Sequence, residues 1–383
     1  MINLKQSRLN SIDLSIIPIA EGWKIQWQCE SVDMNKYPLF CEQLAGKIFA
    51  NPIRLSIAIE GATNSVKLSY AMLQAATGVA VDAYSHPVIV MVDANDIADS
   101  DSDEVLEQRI RLAPRLLPMT ATSNFRDYGG QLTIEGRQVI WGKLFRTGHM
   151  GEMSEADKQA LLQLNIKAIC DFRRAEEMAG RPSQLPEGLA PTAISISPGS
   201  ANNLFSAIDD EDASEAIDEE AIDAFMQEIN RDLVVSHQSS YRQMFDVLIQ
   251  HADSSSIIHC SAGKDRTGFG GLLVLSALGV ELSEVMLDYL RTNEYVDIAK
   301  EVERWSASYH TDTQGLDKTQ KNKTKKSFNR SALAMILKVK PSYLQAAIDT
   351  IDNEYGGIDS YLRTQIGLSD NDFSLLKKHY LYS

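Results

Sequence analysis

Basic residues are scarce in this chain: 37 lysines and arginines stand against 52 aspartates and glutamates, a formal net charge of -15. A nucleic-acid partner needs clustered cations to neutralise phosphates, so that class is excluded. Adsorption to anionic membranes is disfavoured for the same reason, save through a local basic patch. Cysteine is scarcer still. Cys29, Cys41, Cys170 and Cys260 are the only four, and their spacing fits neither a disulfide framework nor a zinc site. Such usage suits a reducing compartment. Long apolar runs are missing, so no segment reads as a membrane span and no integral membrane association is expected. The opening residues, from Met1 to Arg8, lack the uninterrupted apolar core of a secretory signal. A cytoplasmic location is expected, with export by a signal-less route left open. No internal repeat is visible.

What is present is globular composition, 44% hydrophobic and 23% charged, over 383 residues. That length favours two domains. The first third alternates with period 2: Ile12, Leu14 and Ile16; Trp23, Ile25 and Trp27; Ile53, Leu55, Ile57 and Ile59; Val66, Leu68 and Tyr70. An apolar run follows at 88–92. Short alternating segments with turn residues between them predict a small all-β, sandwich-like accessory domain over residues 1–115. Residues 73–77 read as a short helix or a loop. The acidic, polar segment 99–104 and the flanking Pro114 and Pro118 mark the boundary.

From 116 to 383 the pattern changes to strands alternating with helices. Strands are expected at 139–146, 166–172, 193–196 and 256–259, with a helix capped by Ser154 and long amphipathic helices after Cys260. This predicts an α/β domain: a short, mostly parallel sheet flanked by helices, with a phosphate loop between strand and helix. The acidic stretch Asp209, Asp210, Glu211, Asp212, Glu215, Asp218, Glu219 and Glu220 leads into a helical apolar face of Ile222, Phe225, Met226, Ile229 and Leu233. It reads as a solvated loop before a helix, or as a helical lid over 209–250. The basic run Lys318, Lys321, Lys323, Lys325, Lys326 and Arg330 reads as a solvated connection between helices.

The chemistry is concentrated in His259, Cys260, Ser261, Ala262, Gly263, Lys264, Asp265, Arg266, Thr267 and Gly268. A strand ends at His259 and a helix is expected to begin near Arg266. Five residues separate Cys260 from Arg266, so both sit at the ends of one tight turn. The backbone N–H groups between them can converge on a tetrahedral dianion. The helix N-terminus and the guanidinium both favour an ionised thiolate. Arg266 can hold two phosphoryl oxygens bidentately, which lysine cannot do. Gly263 lets the backbone approach closely. The Thr267 hydroxyl is expected at the sulfur, His259 is expected to order the loop, and Lys264 is expected as a point charge at the pocket rim, favouring substrates with a second phosphate. A Walker-type nucleotide loop does not fit, since no Ser or Thr follows Lys264.

This loop resembles the signature of protein tyrosine phosphatases, in the form found in the bacterial branch that includes secreted mycobacterial phosphatases of broad specificity. Further segments are similar to that branch: Asn124-Phe125-Arg126-Asp127-Tyr128-Gly129-Gly130, Leu144-Phe145-Arg146-Thr147-Gly148, residues Cys170 to Glu177, and Tyr289-Leu290-Arg291-Thr292-Asn293. The resemblance runs from about residue 118 to the end. The first third is loosely similar to fibronectin-type-III-like modules.

The resemblance implies in-line attack by Cys260, protonation of the leaving oxygen by an aspartic acid, and hydrolysis of a phosphocysteine. No metal or cofactor is called for. The Trp-Pro-Asp segment of conventional members is absent, so the acid is Asp265, inside the loop, or Asp171, at a strand end; Asp265 is preferred. Asp171 reads equally as an ion-pair partner of Arg126, Arg173 or Arg266. Arg126 and Asp127 read as loop-ordering residues. Expected partners are a phosphorylated protein or a phosphoinositide. Two other readings stand beside this one: a weakly catalytic phosphate-binding adaptor, and sulfur transfer through a persulfide on Cys260.

Overall fold

The computed structural model describes residues 13–28, 39–44, 47–55, 65–91, 110–198, 219–311 and 330–383. The acidic residues 209–218 and the basic run from Lys318 to Lys326 lie outside the described residues.

Two antiparallel sheets occupy the first third. β1 (Asp13–Ile19) and β2 (Gly22–Gln28) pair from Asp13 with Gln28 to Ile19 with Gly22, and β2 continues into β5 (Ser65–Ser69). The second sheet has the order β4-β3-β6-β7, built from β3 (Leu39–Leu44), β4 (Lys47–Leu55), β6 (Val88–Met91) and β7 (Ile110–Leu112). The alternation seen in the sequence places Ile16, Trp23, Ile25, Val66 and Leu68 of one sheet in one cluster with Leu39, Cys41, Leu55, Ile89 and Met91 of the other. Residues 70–77 resolve as a helix, α1 (Tyr70–Thr77). Ser69 accepts from the Met72 amide at its start, and Gly78 closes it at φ +67°.

The remainder is built on a five-stranded sheet of order β11-β10-β12-β9-β8. β9 (Leu144–Thr147), β10 (Ile166–Asp171), β11 (Thr192–Ala193) and β12 (Ser255–His259) are parallel, and β8 (Arg126–Asp127) is antiparallel at the edge. The expected strand at 139–146 begins later than its apolar residues suggest. Gly142 turns the chain at φ +77°, and Val139 instead bridges to Leu381. Alternation along the central β12 sends Ile258 into one core and Ile257 into another on the opposite face.

On one face lies α2 (Glu155–Gln163), started by a Ser154/Asp157 capping box, and α3 (Ala175–Gly180) follows β10. The larger core takes side chains from α4 (Glu219–Ser236), α5 (Gln238–Gln250), α6 (Asp265–Leu278) and α7 (Leu282–Leu290), and the short α8 (Thr292–Tyr295) follows. Beyond them come α9 (Ile298–Thr311), α10 (Arg330–Leu337), α11 (Pro341–Tyr355), α12 (Ile358–Thr364) and α13 (Asp370–Tyr380). The central helix is α6: Phe269, Leu272, Leu273, Val274, Leu275 and Leu278 are all buried, each worth about 1.5–3 kcal/mol of transfer free energy. Its early glycines let aromatic rings close on the helix. A side chain at Gly271 would strike the Tyr128 hydroxyl, and one at Gly268 the Tyr289 ring.

The β-rich third packs on this domain through named contacts. Arg111 lies over the Tyr382 ring at 4.0 Å, and its carbonyl accepts from Trp141 Nε1 and Gln138 Nε2. His86 reaches Asp127 Oδ2 at 3.3 Å and the Pro114 carbonyl at 3.1 Å. Val88, Ala113 and Trp141 form a small apolar cluster with Tyr382. Among the described residues no helix is long and apolar enough to cross a membrane.

Candidate active site

β12 ends at His259, and α6 begins at Asp265, so Cys260 to Lys264 form the turn between the central strand and the central helix. Cys260 is buried, 2% exposed. Gly263 turns the loop at φ +65°, where an added side chain would run into the Thr147 carbonyl.

Arg266 stands one residue inside the helix, as the spacing required. Its Nη1 donates to Glu177 Oε2 at 2.8 Å and its Nη2 to Glu177 Oε1 at 3.1 Å; Nη1 also reaches the Phe172 carbonyl at 3.2 Å. Ser261 Oγ donates to Glu177 Oε1 at 2.5 Å. Burial would raise the Glu177 carboxyl, but Arg266, Ser261 and the Arg174 amide outweigh it and hold the group at about 2. Burial works against the charge on Arg266, while Cys260 and Glu177 keep the guanidinium protonated above its usual range. Glu177 lies in one of the segments singled out in the sequence, yet no role was assigned to it. Its partner is 89 positions away, and no local signal joins the two.

The two candidate acids sit in different environments. Asp171 is fully buried and accepts from Arg173 Nε and Nη2, at 2.7 Å for the latter, and from the Arg173 amide. His259 Nε2 lies 3.4 Å from its Oδ2. Burial would raise this carboxyl; His259 and Arg173 together hold it well below the usual carboxylate range. Of the three arginines weighed for it, Arg173 is the hydrogen-bonded partner. Asp265 lines the cleft beside Cys260 and is partly exposed. Its Oδ1 accepts from the Tyr289 hydroxyl at 3.3 Å, and its Oδ2 is 3.3 Å from Lys264 Nζ.

Two expectations need correction. Thr267 does not reach the sulfur: its buried Oγ1 has no hydrogen-bond partner among the described residues. Lys264 is not an open rim charge. Its side chain is 3% exposed, with Nζ donating to the carbonyls of Ile336 and Lys338 at the end of α10. A lysine there satisfies carbonyls that the helix terminus leaves unpaired. Arg126 and Asp127 lie behind the loop. Arg126 donates to Asn124 Oδ1 and to the Asp288 carbonyl. Asp127 accepts from the Gly129 and Gly142 amides at 2.7 and 2.6 Å, and burial lifts its carboxyl to about 7. His259 Nδ1 lies 3.3 Å from the Cys260 carbonyl.

The cleft over Cys260 is walled by apolar side chains from three helices: Phe225, Met226 and Ile229 of α4, Trp305 of α9, and Leu333, Ile336 and Leu337 of α10. The helical segment within 209–250 therefore borders the site through α4. The residues of α5 mainly fill the core, with Tyr241, Met244, Phe245 and Leu248 buried. Among the described residues no cluster of His, Cys, Asp and Glu is arranged to hold a metal ion.

Residues 117–382 match the model of the tyrosine phosphatase family. The chain is 30% identical over 282 residues to a protein of Cupriavidus necator that carries the name tyrosine-protein phosphatase by assignment, covering 69% of this chain and 88% of that one. It is 28% identical over 281 residues to the triple specificity protein phosphatase PtpB of Mycobacterium tuberculosis, covering 66% of this chain and 94% of that one. A tyrosine-protein phosphatase of Nostoc commune is 23% identical over 232 residues, 61% of this chain and 72% of that one. With the family model spanning well over half its length, on the same residues that carry the strand, loop and helix around Cys260, this chain belongs to the tyrosine phosphatase family.

Proposed function

We propose that the chain hydrolyses phosphate monoesters through a phosphocysteine on Cys260, with phosphotyrosine as the first substrate class and phosphoserine, phosphothreonine and phosphoinositides as further ones. The observation that carries this reading is the arrangement of Arg266 across the turn from Cys260. Glu177 occupies the terminal edge of the guanidinium and leaves Nε and the second Nη2 hydrogen without a protein partner among the described residues. Those two N–H groups are parallel, the geometry that grips two oxygens of a phosphoryl group.

In the reaction the Cys260 thiolate attacks phosphorus in line with the leaving oxygen, the S–P bond forms as the O–P bond breaks, and Asp265 gives its proton to the departing oxygen. Water then attacks the phosphocysteine and releases inorganic phosphate and the thiolate. Asp265 suits the acid role because it is partly exposed and lines the cleft. Asp171 has its carboxylate taken up by Arg173 and acts as an orienting group. The apolar walls from α4, α9 and α10 suit a flat aryl leaving group. We assign α4, whose Phe225, Met226 and Ile229 wall the cleft, the part of a lid that limits water entry. Residues 1–115 form an accessory domain without catalytic groups.

The similarity to PtpB, named for triple specificity, is the support for a broad substrate range. The family match favours turnover over a purely phosphate-binding adaptor. Acid quench during turnover of an aryl phosphate should leave the peptide containing Cys260 heavier by one phosphoryl group. Cys260→Ser should abolish both turnover and that adduct, vanadate should inhibit, and EDTA should leave the rate unchanged. A fully active Cys260→Ser enzyme, or activity that disappears in EDTA and returns with a divalent metal, would sink the mechanism. Parallel assays on phosphopeptides and phosphoinositides rank the substrates.

A further inference from the structure

In a trans peptide the carbonyl of one residue and the N–H of the next point in opposite directions. Fixing a loop carbonyl on the protein side therefore aims the following amide to the other side. Four carbonyls of the Cys260 loop are held in this way. Cys260 O has His259 Nδ1 at 3.3 Å, and Ser261 O accepts from the His149 amide at 2.9 Å. Gly263 O accepts from Asn124 Nδ2 at 2.8 Å and from Arg146 Nη2 at 2.7 Å. Lys264 O accepts from the Gly268 amide at 2.6 Å and lies 3.3 Å from Arg146 Nη2.

The pins on Gly263 are themselves braced. Asn124 and Arg146 are each 1% exposed. Asn124 adopts φ +58°, a left-handed conformation uncommon outside glycine, held at a position whose side chain then reaches the loop. Arg146 Nη1 donates to Asp288 Oδ2 at 2.9 Å, and Arg126 links Asn124 to the Asp288 carbonyl. Burial works against the charge on Arg146, yet Tyr128, Asp288 and Cys260 more than offset it. Nothing in this assembly touches the cleft. Its contact with the chemistry is the Gly263 and Lys264 carbonyls.

We infer that Asn124 and Arg146 are positioning residues for the phosphate loop, turning the Gly263 and Lys264 carbonyls away from the anion so that the Lys264 and Asp265 amides face it. The inference rests on the phosphomonoesterase reading above. It assigns to two residues of the buried layer a share in binding the transferring phosphoryl group that they never contact.

The test compares Asn124→Gly, Arg146→Lys and Asn165→Gly with wild type, measuring vanadate affinity, kcat/KM on an aryl phosphate and the thermal midpoint. Glycine keeps the left-handed backbone at 124 and deletes the side chain, removing the pin on Gly263 together with the acceptor for Arg126. Asn165 has the same backbone conformation at φ +55°, on the loop between α2 and β10, and controls for that effect. Asn124→Gly should bind vanadate about tenfold more weakly and lose kcat/KM to the same extent, staying folded with a thermal midpoint lowered by a few degrees for the buried Arg126 N–H it leaves unpaired. Arg146→Lys, which surrenders the two-pronged contact, should lose about a hundredfold. Asn165→Gly should match wild type in both kinetic measures. A folded Asn124→Gly with wild-type vanadate affinity and turnover overturns the inference, even if Arg146→Lys fails to fold. Wild-type enzyme that neither turns over the ester nor binds vanadate would instead overturn the underlying reading.

Discussion

Glu177 and Arg266 meet edge to edge, Oε2 to Nη1 at 2.8 Å and Oε1 to Nη2 at 3.1 Å, and the same carboxylate accepts the Ser261 hydroxyl. One acid thus fixes both the guanidinium and the first residue after Cys260. Glu177→Gln preserves the shape but cannot accept on both arms, and it removes the charge that restrains Arg266. Steady-state kinetics on an aryl phosphate should show KM rising and kcat falling, each by about tenfold, because the arginine serves ground state and transition state alike. A variant with unchanged KM would mean that Arg266 keeps its pose without the acid.

The same pair makes a prediction about acid stability. The Glu177 carboxyl is held at about 2, below its ordinary 4.5. Between those values the unfolded chain binds a proton that the folded chain does not, so the contribution is complete above about pH 4.5 and is lost as pH falls toward about 2. Its size is on the order of 3 kcal/mol. Calorimetric melts across that window should fall less steeply for Glu177→Gln than for wild type. Parallel slopes would show that the pair does not couple to folding.

The parts of the fold visible in the sequence are those set by local patterns. Alternation placed Trp23, Ile25, Val66 and Leu68 on one face, the Ser154 cap marked the start of a helix, and the strand–loop–helix passage around Cys260 followed from residue types alone. What escaped were pairings across long stretches of chain: Glu177 with Arg266, Asn124 with Gly263, and Arg146 with Asp288 lie 89, 139 and 142 positions apart. Asn124, Arg146 and Glu177 all stood in segments that stood out in the sequence, but their chemistry depends on what tertiary packing sets beside them. Lys264 is the clearest instance. A lysine beside a phosphate loop reads as a rim charge, while the chain ends α10 beside it with open carbonyls that draw the ammonium inward.

The accessory third is predicted to support the catalytic domain without taking part in the chemistry. A chain starting at residue 116 would uncover Trp141, Tyr382 and the buried Asp127, which Arg111, Val88 and His86 now cover. Turnover of a small aryl phosphate should persist at room temperature, with a melting midpoint lower by on the order of 2–4 °C for each kcal/mol of lost contact. A soluble, folded truncation without activity would show that residues 1–115 are part of the working site.

The roles of the two aspartates separate on the leaving group. A general acid matters most when the departing oxygen is strongly basic, since a nitrophenolate leaves with little help. Asp265 borders the cleft and, among the described residues, shares its carboxylate with only a tyrosine hydroxyl and a lysine, so it can meet the leaving oxygen. Asp171→Asn would break the fork to Arg173 and disturb His259, the residue that precedes Cys260, which harms every substrate alike. Asp265→Asn should therefore slow an unsubstituted phenyl phosphate by about a hundredfold or more while slowing a nitrophenyl ester by about tenfold or less. Asp171→Asn should lower both by similar factors. The two esters measured on both variants decide the matter: if the steep dependence on leaving group appears for Asp171→Asn and not for Asp265→Asn, the proton comes from Asp171, and the salt bridge to Arg173 must open during turnover.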